Sequence, residues 1–125
     1  MATSLSSKSV QDLLHIVLRR MAASIGSHSG PSFRVASTDT AQVLSTSDIT
    51  DIYGNLAVAA TVVCETNAIR VAVGGTVPTQ GATGLGVELS AGDSFYLDCP
   101  EDVLSFRFIS SASGTHGALQ VIPRF

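Results

Sequence analysis

At 125 residues the chain is long enough for one domain with a real core and too short for two. Its 45% hydrophobic and 14% charged residues, with no Trp, exclude a disordered chain and a charge-coated monomer, so part of the apolar surface is expected to meet another subunit or protein. The net charge of -3 divides unevenly: residues 1 to 35 carry Lys8, Arg19, Arg20 and Arg34 against Asp12, and the rest carries Arg70, Arg107 and Arg124 against nine acids. Such a basic head on an acidic body either docks on an acidic partner or a neighbouring copy, or reflects chance at these small counts.

The first element is a helix over "SVQDLLHIVLRRMAASIG". Ser9 caps it with Asp12 at the third helical position, and Gly26 closes it. Val10, Leu13, Leu14, Val17, Leu18, Met21 and Ile25 form one apolar stripe. That stripe is to be buried on the chain's own body or on a partner. The apolar run "LLHIVL" is short, contains His15 and is followed by Arg19 and Arg20, which argues against a secretory signal, and no run approaches the roughly 20 apolar residues of a bilayer span.

"GSHSGPS" then reads as a linker, and the periodicity changes from helical to alternating. Eight short runs rich in β-branched and aromatic residues follow: "FRVAS", "AQVLST", "LAVAATVVCET", "AIRVAVGG", "GVELS", "SFYLD", "VLSFRFISS" and "ALQVIPRF". Ile69, Val71 and Val73 alternate with Arg70 and Ala72; Leu104, Phe106 and Phe108 with Ser105 and Arg107; Leu119, Val121 and Pro123 with Gln120 and Arg124. "YGN", "AGD", "CPED" and "SASGTHG" supply turns. The expected fold class is mainly β, an antiparallel β-sandwich or jelly-roll-like barrel with an N-terminal amphipathic helix. Its layout is an arm over 1–26, a linker over 27–32 and a body over 33–125. Pro123 is expected to place the last strand at an edge, open to continuation by a neighbour, or to mark where pairing stops.

The residues offer little chemistry. "GGTVPTQGATGLG" (74–86) has neither the GxGxxG order nor a lysine, since Lys8 is the only one in the chain, and strand instead of helix is expected after it. It therefore reads as a loop leaving the "IRVAV" strand and as a contact surface. His15, His28 and His116 are scattered without the spacing of a metal-ligand set, and no cofactor is expected. "GDSF" lacks the nucleophile-elbow pattern, and a triad of Ser94, His116 and Asp39 is raw material that any small β domain offers, so no enzyme is expected. The acidic body excludes a nucleic-acid groove, and Tyr53 and Tyr96, the candidates for exposure, do not make a stacking platform. Cys64 and Cys99 form no CxxC pair; free thiols in a reducing compartment are expected, with a disulfide as the alternative.

From Ile69 to Phe125 the chain resembles the small β-rich virion proteins of tailed bacteriophages. The matching pieces are Gly74, Gly75 and Thr76; Pro78 and Thr79; Gly84 and Gly86; Leu89, Ala91, Gly92 and Asp93; and Phe106 to Ile109. Within that group the size, the β body and the basic arm are most similar to capsid decoration or cement proteins. The resemblance implies a non-enzymatic virion protein, made in the host cytoplasm, that binds the major capsid protein as a dimer or trimer and stabilises the shell. It implies no membrane, nucleic acid or small-molecule substrate. The contact residues to expect are Val10, Leu14, Val17, Arg19, Arg20 and Met21 of the helix, Thr76, Pro78 and Thr79 of the loop, and Ile122 and Phe125 of the last strand. A tail, fibre or vertex component binding a receptor or carbohydrate is the alternative, weakened by the lack of fibre-like repeats.

Overall fold

A computed structural model describes residues 28–125. The expected helix, with Val10, Leu14, Val17, Arg19, Arg20 and Met21, lies outside the described residues. From His28 onward the body is mainly β. Its strands are β1 (Phe33–Ala36), β2 (Gln42–Val43), β3 (Ala59–Thr66), β4 (Ile69–Ala72), β5 (Val87–Leu89), β6 (Ser94–Leu97), β7 (Arg107–Ser110) and β8 (Ala118–Arg124). Each falls inside one of the eight runs read from the sequence. All pairs are antiparallel, in two four-stranded sheets ordered β1-β8-β3-β6 and β2-β7-β4-β5.

Alternation dictates the inner faces. Phe33, Val121, Val62 and Phe95 stand in one row across the first sheet, and Pro123, Ala60 and Leu97 in the next. The second sheet contributes Ile69, Val71, Leu89 and Phe108, which form one core cluster with Val121, Val62, Ala60 and Leu97, and Phe33 and Phe95 pack against it. Phe106 links to Phe108 and Phe95 at ring separations of 5.9 and 6.2 Å. Burying Phe106 and Phe108 contributes roughly 2 kcal/mol each. No buried side-chain nitrogen or oxygen among the described residues lacks a hydrogen-bond partner, as a well-determined core requires.

Two sequence expectations need correction. "CPED" was expected to be a plain turn before a strand from Val103; instead Pro100–Ser105 forms a short helix, α1. Proline suits a first helical position because its missing N–H has no partner there, and Glu101 and Asp102 sit in the first turn where the helix dipole favours them. The helical period turns Leu104 outward, so the buried alternation begins only at Phe106.

The second correction concerns β8, which is a central strand between β1 and β3 and not an edge. Pro123 is tolerated because its defect is one-sided. The carbonyl of Pro123 accepts the Gly30 N–H at 2.8 Å, and the nitrogen and carbonyl of one strand residue face the same neighbour. The missing donor therefore falls beyond the start of β1, near Pro31, and the ladder to β3 is untouched. The Phe125 N–H donates to the His28 carbonyl at 3.1 Å and Ser29 bridges Arg124, so the segment read as a linker lies along β8 from its second residue.

Candidate functional site

The sheets have outer faces of opposite character. On the β2-β7-β4-β5 sheet, Ile109, Arg70 and Glu88 stand in register across β7, β4 and β5. Alternation sets Arg70 on the face opposite Ile69 and Val71, and there its side chain is only 8% exposed. The loop 74–86 folds back over it. Arg70 donates from Nε to the Gly81 carbonyl at 3.2 Å, from Nη1 to Gly86 at 3.1 Å and from Nη2 to Ala82 at 3.4 Å, and its Nη2 lies 3.6 Å from Glu88 Oε2. A guanidinium suits this task because its planar fork can hold several carbonyls at once.

Glycine is needed where the loop comes closest. A Cβ at Gly84 would collide with the Thr79 carbonyl, and Gly86 sits at φ +100 with its α-carbon face against the Val71 carbonyl. The loop is closed by Thr79 N–H to Leu85 O at 3.1 Å and Leu85 N–H to Thr79 Oγ1 at 2.7 Å. It is tied to its surroundings by Gly81 N–H to Ser111 O at 2.9 Å and by Gln80 Nε2 to Asp39 Oδ1 at 2.9 Å. Asp39 also accepts the Gly114 N–H at 2.9 Å; that bond first, and the Gln80 bond second, hold its carboxyl below the ordinary aspartate value.

The expected loop contacts thus separate. Thr76 and Thr79 are exposed, although the Thr79 hydroxyl is engaged by the loop itself. Pro78 is fully buried, beside Gly86, and is not presented to a partner. Phe125 is also buried, against Gly30 and stacked with His28 at 6.4 Å.

The outer face of the β1-β8-β3-β6 sheet has no such cover among the described residues. Ile122, Thr61 and Tyr96 form one row across β8, β3 and β6, and Gln120, Val63 and Ser94 form the next. Tyr96 is 65% exposed, and Ile122, Thr61 and Val63 are half-buried. The Arg34 Nε to Glu65 Oε2 ion pair, 3.2 Å long, borders this face and contributes little to stability because it is largely exposed. The sequence pointed to Ile122 and Tyr96. It missed Thr61 and Val63 because their strand reads as one continuous small and apolar run.

Several side chains capable of chemistry are engaged in bonds within the body. His116 Nδ1 lies 2.9 Å from Ser110 Oγ, which is 2.7 Å from Ser37 Oγ, and both serines are buried. The network joins the β7–β8 turn to β1 through the Gly117 N–H on Ser37 Oγ at 2.8 Å. Ser94 lies on β6 of the other sheet from Ser110 and is not joined to His116 by these bonds. Cys64 and Cys99 are both free; burial, then Asp93 and Glu65, pushes the Cys64 thiol up, and its Sγ donates to the Asn67 carbonyl at 3.0 Å. Among the described residues no group of three or more His, Cys, Asp or Glu could hold a metal ion, and no helix is long and apolar enough to cross a membrane.

Two clefts lie at the end of the body where β1 begins and β8 ends. The first, about 450 Å³, is lined by His28, Phe33, Phe125, Ile52 and Tyr53 among others. Ile52 and Tyr53 are 91% and 82% exposed. Compared with known proteins, the chain matches no family model, no curated protein and no solved structure.

Proposed function

We propose that this protein is a non-enzymatic structural component of a virus particle, a decoration or cement protein that binds the outer surface of a capsid. The observation carrying this reading is the outer face of the β1-β8-β3-β6 sheet, uncovered among the described residues, with Ile122, Thr61, Val63 and Tyr96 at its centre and the Arg34–Glu65 pair at its border. An apolar centre with a charged border is the composition of a protein contact. The strand orders 1-8-3-6 and 2-7-4-5 support reading the two sheets as a jelly-roll sandwich, an architecture used by viral capsid and lectin domains.

The pieces that carry the resemblance have a physical account in the same fold. The glycine loop is the cover held by Arg70. The "AGD" is the β5–β6 turn, where Asp93 Oδ2 accepts the Ser90 N–H at 2.9 Å and Gly92 takes φ +94. The "FRFI" places Phe106 and Phe108 in the core. In a shell, each copy needs only modest affinity, because repeated contacts are multiplied by avidity.

Quantitative mass spectrometry of purified particles tests the assignment. Many tens of copies per particle are expected. A handful of copies would move the protein to a tail or vertex, and absence from particles would end the proposal.

A further inference from the structure

We propose that this chain binds a second copy of itself by seating the 51–55 turn of one copy, with Ile52 and Tyr53 at its tip, in a hollow around Arg107 of the next. The turn is a preformed knob. Asp51 Oδ1 accepts the N–H groups of Tyr53 and Asn55 at 2.9 and 2.8 Å, Asp51 N–H donates to Asn55 O at 2.9 Å, and Gly54 N–H to Asp51 O at 3.0 Å. These bonds fix the backbone while Ile52 and Tyr53 stay 91% and 82% exposed. A rigid turn presents apolar side chains without the ordering cost that a loose loop meets on binding. Asp48 lines the same cleft as Ile52 and Tyr53, and its carboxylate has no partner among the described residues.

The hollow supplies what the knob lacks. Val43, Arg107 and Ala72 stand in one row across β2, β7 and β4, on the same outer face as Arg70. Arg70 meets three loop carbonyls and Glu88, whereas the half-buried Arg107 has no hydrogen bond or ion pair among the described residues. A partly desolvated guanidinium without an anion is unfavourable, and a carboxylate relieves it. Beside it the exposed Val43 of the edge strand and Val77 of the 74–86 loop wall a hollow of about 660 Å³. A second copy is the occupant that charge selects, because both halves of the match lie on this chain: an unpaired carboxylate beside two exposed apolar side chains, and an unpaired guanidinium beside two others. Knob and hollow share no lining residue, so the contact is heterologous: each copy offers its knob to one neighbour and its hollow to another. None of these residues belongs to the outer face that carries Ile122 and Tyr96, so this contact and the capsid reading stand or fall separately.

Sedimentation of the full chain over a range of concentrations tests this with two variants. Ile52→Asp with Tyr53→Asp removes the knob, and Val43→Asp with Arg107→Glu removes the hollow. The unaltered chain is expected to self-associate, and each variant to do so at least about tenfold more weakly. Mixed in equal amounts, the two variants are expected to form a one-to-one pair and nothing larger, because one retains the knob and the other the hollow. Should the acidic substitutions lower the urea midpoint, Tyr53→Ser and Arg107→Gln are mixed and read in the same way. The proposal is overturned if the unaltered chain is monomeric throughout, or if either variant associates as the unaltered chain does. It is overturned equally if the mixture stays monomeric, which would mean that the two surfaces do not meet.

Discussion

Ile109 and Ile122 occupy equivalent positions on the outer faces of the two sheets, each in a row that crosses three strands. Ile109 shares its row with Arg70 and Glu88 and is buried; Ile122 shares its row with Thr61 and Tyr96 and is half-open. One arginine accounts for much of the difference. Arg70 offers the 74–86 loop a set of donors, and the loop supplies carbonyls at Gly81, Ala82 and Gly86 to meet them. Among the described residues the first sheet has no equivalent anchor at the centre of its outer face. Thr61 stands there instead, half-buried. Two sheets of one body can thus differ, one outer face covered internally and the other left open.

The largest expected effect comes from removing the anchor. Arg70→Ala leaves three loop carbonyls and Glu88 without their donor and is expected to cost about 3 kcal/mol, measured as a lower urea midpoint. The loop should lift while the core survives, so limited proteolysis is expected to cut first within residues 76 to 84. Equal protease resistance in the variant would mean that the glycines, and not Arg70, hold the cover in place.

A smaller effect concerns the attachment of the same loop through Asp39. Its folded pKa is depressed, so its contribution is complete above the ordinary carboxylate value of about 4 and is lost as pH falls through the lower folded value. Acid should loosen the contacts to Gln80 and Gly114, and amide exchange at Gly114 is expected to rise there. Asp39→Asn, which never carries the charge, should remove this pH dependence.

Much of this arrangement was legible in the sequence, and the failures are instructive. Strands β1 to β8 each arise from a run with period-two alternation or β-branched enrichment, and Leu119, Val121 and Phe108 went to the core as alternation required. What alternation cannot encode is lateral order. Pro123, which lacks a donor, read as placing β8 at an edge or marking where pairing stops, whereas only one side of that strand meets the defect. Nor does alternation show that the Arg70 face is covered, because cover by a loop 11 to 16 residues later leaves no periodic trace. The six-residue helix Pro100–Ser105 was hidden for a similar reason: it is shorter than two turns, and its Val103 and Leu104 read equally well as the start of β7. Of the surface now favoured, Ile122 and Tyr96 stood out as individual residues, but only register placed them beside Thr61 and Val63.

The smallest expected effect on stability coincides with the largest expected effect on function. Tyr96→Arg combined with Ile122→Arg alters side chains on the open face and should change folding stability by no more than about 1 kcal/mol. Cosedimentation of this variant with capsids purified without the protein tests the central claim most directly. The account predicts that binding is lost while the urea midpoint stays near that of the unaltered chain; binding at unaltered strength would contradict it.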